Sequence, residues 1–310
     1  MATETQNPQA RAEGGSLRHY ERPVEIETSA KPTPGPIVSF ASAPSVLAES
    51  SLSLGSSGLL LGLLRTGSTN VFPGGGIGIE YGSLLKTAVR PDYLAAHVEE
   101  VAEHLWELKV DLLLVPGMSG YPVGAMYSCA SRKPAILLKK SKLLPDDDAN
   151  GFPEGSFVIP SYTGDGDVVM SADHDAVADI VSTIVNRQIL DQASKDKITI
   201  VVRCAGADDI IDKATMAHAI TESAPLFCER AVANTVARFR EKTGDQRAIS
   251  SEVAVVAWVT PLIKSYNRPH AHLKNRFGIT PFAGVQISSV HLDPPAIGVD
   301  GVGCFAFANE

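Results

Sequence analysis

The chain has 310 residues, 44% hydrophobic and 20% charged, enough apolar material for one sizeable core with appendages. With 27 Lys and Arg against 35 Asp and Glu, its formal net charge is −8. That balance argues against a nucleic-acid or anionic-membrane surface and leaves any phosphate recognition to a local basic cluster. Cys129, Cys204, Cys228 and Cys304 show no CxxC spacing, so neither a zinc site nor a disulfide framework is expected, and a reducing cytoplasm fits the thiols.

Residues 1–36 carry Thr, Glu, Ala, Pro and Gly without periodicity and read as a loose arm; the segment KPTPGP suits neither helix nor strand. The N-terminus lacks the charged and then apolar order of a secretion signal, and the apolar run Leu59 to Leu64 is too short to span a bilayer. No membrane association is expected. Within an extension over residues 37–69, that run suits a helix packed on the domain or a contact between two copies.

Pro91 opens a confident helical pattern in which Leu94, Val98, Val101, Leu105 and Leu108 recur at spacings of four and three. The continuous apolar run from Val110 to Val115, broken only by Asp111, predicts a buried strand, followed by a glycine-rich turn at Pro116 to Gly120 and a new helix. Further buried strands are expected at Ala135 to Leu138, Ile198 to Val202 and Val253 to Val259, with helical text between them. Phe157 to Pro160 and Asp167 to Met170 read as a projecting hairpin around SYTGDG. Strands alternating with helices predict an α/β fold with a parallel sheet covered on both faces, its site at the carboxyl ends of the strands.

Four stretches, in order, carry a resemblance. FPGGGIGIEYGSLL (72–85), LLLVPGMSGYPVG (112–124), KKSKLLP (139–145) and SEVAVVAWVTPLI with HLKNRFGITPF (251–282) are similar to segments of type I phosphoribosyltransferases, most of all the adenine phosphoribosyltransferases. The resemblance covers about residues 70–287 as one domain. Outside it lie the arm, a long helical insertion near Ala224 to Arg247, and a tail over 288–310 that suits a wrapping or dimer-bracing extension.

The resemblance implies transfer of ribosyl phosphate between pyrophosphate and a purine or related heterocycle, with Mg²⁺ brought by the pyrophosphate, in a homodimer. Such chemistry needs no protein nucleophile; it needs a backbone cradle and cations for pyrophosphate, carboxylates for the ribose diol, a helix start for the 5′-phosphate and a lid against water. Gly117, Met118, Ser119 and Gly120 form the candidate cradle, with a plain strand-to-helix turn as the alternative. Lys139, Lys140 and Lys142 are the nearby cations; without the resemblance they read equally as a solvated basic face.

The family fingerprint, a carboxylate pair followed by a glycine-rich phosphate loop, has its nearest text in ADDIIDKAT (207–215). In that register Asp208 and Asp209 hold the ribose hydroxyls, and Lys213, Ala214 and Thr215 receive the phosphate. The glycines are missing, and Asp212 places an anion where the phosphate belongs. A second register puts Arg203 and Cys204 where the carboxylates should be and abolishes the clamp. Ile79 and Glu80 replace the family's Phe-Arg pair for the base. Tyr162, with Asp165 or Asp167 as lid acid, falls in the hairpin, where these residues are otherwise turn formers. The DHD at 173–175 and the pair His270 and His272 lack a second cluster at metal-ligand spacing, so no dedicated metal site is expected. GGG at 74–76 follows no strand and reads as a turn rather than a dinucleotide fingerprint. Two other functions stay open: a catalytically silent nucleotide-binding regulator or partner subunit, and a same-fold enzyme of another reaction, such as N-glycosidic hydrolysis.

Overall fold

The computed structural model describes residues 17–21, 35–71, 77–143, 152, 155–160 and 166–308. In chain order its strands are Arg18–His19 (β1), Ile37–Val38 (β2), Ser68–Val71 (β3), Ile77–Glu80 (β4), Leu112–Pro116 (β5), Ala135–Lys142 (β6) and Phe157–Pro160 (β7). They continue as Asp167–Ser171 (β8), Lys197–Ala207 (β9), Ile210–Ile211 (β10), Ala248–Lys264 (β11), Phe282–Leu292 (β12), Pro295–Val299 (β13) and Gly303–Ala306 (β14). The helices are Ala43–Ala48 (α1), Leu54–Thr66 (α2), Gly82–Leu85 (α3), Pro91–Glu107 (α4), Gly120–Ser131 (α5), His174–Asp191 (α6), Thr215–Thr243 (α7) and Pro269–Phe277 (α8).

The centre of the sheet runs β6-β5-β9-β11-β12, every neighbouring pair parallel. The expected α/β fold class is therefore present, with helices on both faces. β5 shows why its sequence is apolar throughout: Leu112 and Leu114 pack with residues of α6 and α7, whereas Leu113 and Val115 pack with those of α2, α4 and α5. A strand covered on both sides has no position for a polar residue. At Gly206 the close packing demands the absence of a side chain, since a methyl group there would lie 2.4 Å from ring atoms of Trp258.

At one edge the β7–β8 hairpin adds antiparallel to β6; at the other β13 and β14 add antiparallel to β12, and β2 closes the sheet beside β14. Residues beyond Ser288, expected as a bracing tail, thus complete β12 and supply two further strands. α2 buries Leu59, Leu60, Leu63 and Leu64 in the core, the first of the two settings considered for that run. The insertion expected from Ala224 is the second half of one 29-residue helix that begins at Thr215 and carries Pro225 inside it. No helix of the described residues is long and apolar enough to cross a membrane.

The DHD segment has a local explanation. Asp173 is the N-cap of α6, its carboxylate accepting from the amides of Asp175 and Ala176, each at 3.1 Å.

Candidate functional site

β5 ends at Pro116 and α5 begins at Gly120, so residues 117–119 form a tight turn at the carboxyl rim. The Gly117 amide donates to the Leu138 carbonyl (2.8 Å), and the Tyr121 hydroxyl donates to the same oxygen (2.8 Å). A methyl group at Gly117 would lie 2.5 Å from the Tyr121 hydroxyl, which is why the position requires glycine. The Gly117–Met118 peptide is cis, and Met118 projects outward, 76% exposed.

Asp208 and Asp209 follow directly on β9. This placement removes the second register, because Arg203 and Cys204 lie within β9, opposite Ala254 and Val255 of β11. A methyl group at Gly120 would sit 3.0 Å from Asp208 Oδ1, so the glycine turn and the carboxylate pair are in direct contact. Asp209 is buried; it accepts from the Tyr81 hydroxyl at 2.8 Å and pairs with Lys86 Nζ at 3.2 Å. Its own amide donates to Asp208 Oδ1 at 2.9 Å, and the Lys86 ammonium lies 4.4 Å from the centre of the Tyr81 ring.

The two carboxyls are driven apart in acidity. Burial, then the neighbouring Asp209, pushes Asp208 well above the usual carboxylate range. Burial also acts to raise Asp209, but hydrogen bonds from Asp208, Tyr81 and Ser119, together with the Lys86 ammonium, outweigh it and hold Asp209 below that range. The two carboxyls are coupled and titrate as a unit, with Asp208 the weaker acid of the pair. Burial, then Asp209, raises the Tyr81 hydroxyl far above the ordinary phenol value, so Tyr81 serves only as a donor here.

Across the β9–β10 turn, Asp212 is bonded to Lys264 Nζ at 2.8 Å and to the Asn267 side-chain amide. The anion that stood in the path of a phosphate is thus neutralised within the fold. Lys213 is half-buried, Ala214 adopts the left-handed conformation at φ 62, and Thr215 starts α7. Lys139, Lys140 and Lys142 are all exposed, but β6 continues past Leu138, so they are strand residues facing β8 rather than members of a loop. Lys140 and Lys142 share one face of the strand and Lys139 has the other, where it approaches Asp173 at 3.8 Å.

Other expected residues fall elsewhere. Ile79 packs in the core, and Glu80, exposed, accepts from the amide of Gly82, the first residue of α3, at 2.5 Å. Asp167 opens β8, exposed, opposite Pro160. Tyr162, Asp165 and the GGG at 74–76 lie outside the described residues. His272 bonds His218 at 2.8 Å, and among the described residues no group of three or more His, Cys, Asp or Glu is arranged to hold a metal. Tyr81, Lys86 and Tyr121 were missed by sequence reasoning. A lone phenol and a lone lysine flanking the apolar pair Leu84 and Leu85 have no spacing signature, and only the fold brings them to Asp209.

No family model matches the sequence, and no curated protein matches it. Among solved structures the chain is similar to an adenine phosphoribosyltransferase from Rhodothermus marinus, at 16% identity and a TM-score of 0.43, over 74% of this chain and 99% of that one. It is similar also to the enzyme from Giardia lamblia complexed with 9-deazaadenine, at 14% identity and a TM-score of 0.44, over 75% and 98%. With the enzyme from Saccharomyces cerevisiae the identity is 13% and the TM-score 0.44, over 74% and 98%. At these scores the likeness describes chain path, and the chemistry of the rim has to be read from its own residues.

Proposed function

We propose that this chain is a phosphoribosyltransferase-like enzyme that moves ribosyl phosphate to or from a purine or related heterocycle at the carboxyl rim of its sheet. The observation that carries this reading is the contact between the Gly117–Gly120 turn and the Asp208–Asp209 pair. A turn that leads into the N-terminus of α5, with the Gly117 amide held by Leu138, stands beside carboxylates able to accept from sugar hydroxyls. The turn would receive pyrophosphate, the lysines of β6 would add positive charge, and the start of α7 at Ala214 and Thr215 would receive the 5′-phosphate. Catalysis of this kind stabilises a cationic sugar and an anionic leaving group, so it requires no nucleophile from the protein.

Mg²⁺ would arrive as the companion of the pyrophosphate and be held by its oxygens. Asp209 already binds the Lys86 ammonium, so the rim is poorly suited to a resident cation of its own. The same fact favours a second reading, a silent nucleotide-binding regulator or partner subunit: a carboxylate bonded to Tyr81, Lys86 and Ser119 must give up a partner before it can clamp a diol. The transferase reading also implies a cytoplasmic homodimer, which sedimentation of the purified chain would test.

One experiment separates the readings: incubation with labelled phosphoribosyl pyrophosphate, Mg²⁺ and a panel of nucleobases, with release of pyrophosphate measured. Turnover with one base supports the transferase. Tight binding without turnover supports the silent protein, and liberation of base from a nucleotide supports hydrolysis. With neither binding nor turnover, the rim does not handle sugar phosphates.

A further inference from the structure

A shallow, open depression lies on the same rim, at the carboxyl end of β11 and against the middle of β12. It measures about 470 Å³ and is lined by Ser265, Tyr266, Arg268, His270, Ser288 and Asp300, a volume within the range of small-molecule sites. Its walls come from the 3₁₀ turn Ser265–Asn267, the start of α8, the irregularity of β12 between Ile287 and Ser289, and the turn after β13. These walls are fixed by internal bonds. The Ser265 hydroxyl donates to the Ile287 carbonyl at 2.9 Å, and the Asp300 amide donates to the Gln286 carbonyl at 3.0 Å.

The backbone presents Arg268 at a conformational cost. Its φ is 53, the left-handed region that disfavours a side chain, and it is pinned there by its amide to the Ser265 carbonyl (2.9 Å) and its carbonyl to the His272 amide (3.2 Å). The neighbouring cation does not serve the depression, because Lys264 is bonded to Asp212. Arg268, His270 and Asp300 are exposed, line the same open depression, and have no side-chain ion-pair or hydrogen-bond partner among the described residues. Opposite charges that share a concave wall without closing on each other leave one end suited to an oxyanion and the other to a donor group.

We propose that this depression binds a small polar ligand whose oxyanion, phosphate or carboxylate, is held by Arg268 and His270 while a hydroxyl or ammonium of the same ligand is held by Asp300. The site is independent of the transferase reading and uses none of its residues.

The test follows the His270 ring protons by NMR, assigned by their loss in His270→Gln, while the full chain is titrated with inorganic phosphate, ribose 5-phosphate and glutamate. The expected result is a saturable shift at His270 with at least one of the two oxyanion classes, phosphate or carboxylate, which also identifies the source. Arg268→Gly removes the guanidinium and relieves the left-handed backbone, so the variant folds, and it should weaken that response about tenfold or more. Asp300→Asn should weaken ribose 5-phosphate or glutamate while sparing inorganic phosphate. Lys140→Gln, on the other part of the rim, should change nothing at His270. No movement of His270 with any of the three probes, or an undiminished response in Arg268→Gly, overturns the proposal.

Discussion

Replacing Lys86 with Met tests whether the ion pair at the rim holds the carboxylates in place. The lysine side chain is 38% exposed and Asp209 only 3%, with 3.2 Å between them. A fully exposed pair contributes about 0–1 kcal/mol, whereas removing one partner of a fully buried pair costs about 3–5 kcal/mol. With one side wet and the other dry, the expected loss at neutral pH is about 2 kcal/mol, since Asp209 keeps its bonds from Tyr81 and Ser119. The sign with pH follows from the direction of the Asp209 shift. A carboxyl held below its unfolded value contributes stability that is present above that value, 3.8, and lost as pH falls through the folded one. Lys86→Met should therefore be destabilised at pH 7 and approach the parent protein at acid pH, once Asp209 has taken up its proton in both. Urea denaturation of Lys86→Met, Asp209→Asn and the double variant at both pH values measures the coupling directly. Additive effects, or a Lys86→Met loss under about 0.5 kcal/mol that ignores pH, would refute the reasoning.

Three other substitutions probe separate parts of the fold. His97 on α4 is fully buried, bonded to the Tyr127 hydroxyl at 2.9 Å, with Nδ1 unpartnered; burial lowers its pKa from 6.5 to about 4, against a smaller opposing pull from Glu100. The unfolded chain then binds the proton more tightly, so stability is full above pH 6.5 and falls by about 3 kcal/mol toward pH 4. His97→Gln should flatten that part of the stability–pH curve, as urea midpoints will show. Gly206→Ala drives a methyl group to 2.4 Å from the Trp258 ring, and denaturation monitored by tryptophan emission should record a loss of about 1–3 kcal/mol. Ala214→Gly should stabilise by about 0.5–1 kcal/mol in the same assay, because φ 62 is strained for alanine; a loss instead would mean that the methyl group, buried in the core, outweighs the strain.

How far the fold was legible depended on whether the signal was local. α4 declares itself by apolar spacing from Pro91, and β5 by an unbroken run, because both are periodic patterns created by burial. β11 was expected from Val253 but starts at Ala248, since its first residues, Ile249 to Glu252, are half-buried or exposed and owe their conformation to pairing with β9. The helical insertion expected near Ala224 to Arg247 belongs to one helix that begins at Thr215 and accommodates Pro225 inside it. Within the candidate site, Asp208, Asp209 and the glycine turn could be singled out because adjacent carboxylates and clustered glycines are visible in one dimension. Tyr81 and Lys86, more than 120 residues upstream of Asp209, could not. A hydrogen bond that spans 128 positions leaves no mark in local text.

The departures from the family fingerprint are chemically coupled to one another rather than scattered. Asp212 would repel a phosphate at the start of α7, yet Lys264 and Asn267 take up its charge; Ala214 stands in a left-handed position suited to glycine, and holds it. Asp209 would be an open clamp, yet Lys86 and Tyr81 close on it. Asp212 and Asp209 are thus each matched by a cation and a neutral donor from distant parts of the chain, so both carboxylates are satisfied within the fold. Half-satisfied networks are costly, and a site that had only lost its ligand would be expected to leave groups unpaired. Here Asp209 is buried and Asp208 half-buried, and both have hydrogen-bond partners. On the proposed reading, a diol that binds Asp209 must displace one of its partners, Tyr81, Lys86 or Ser119.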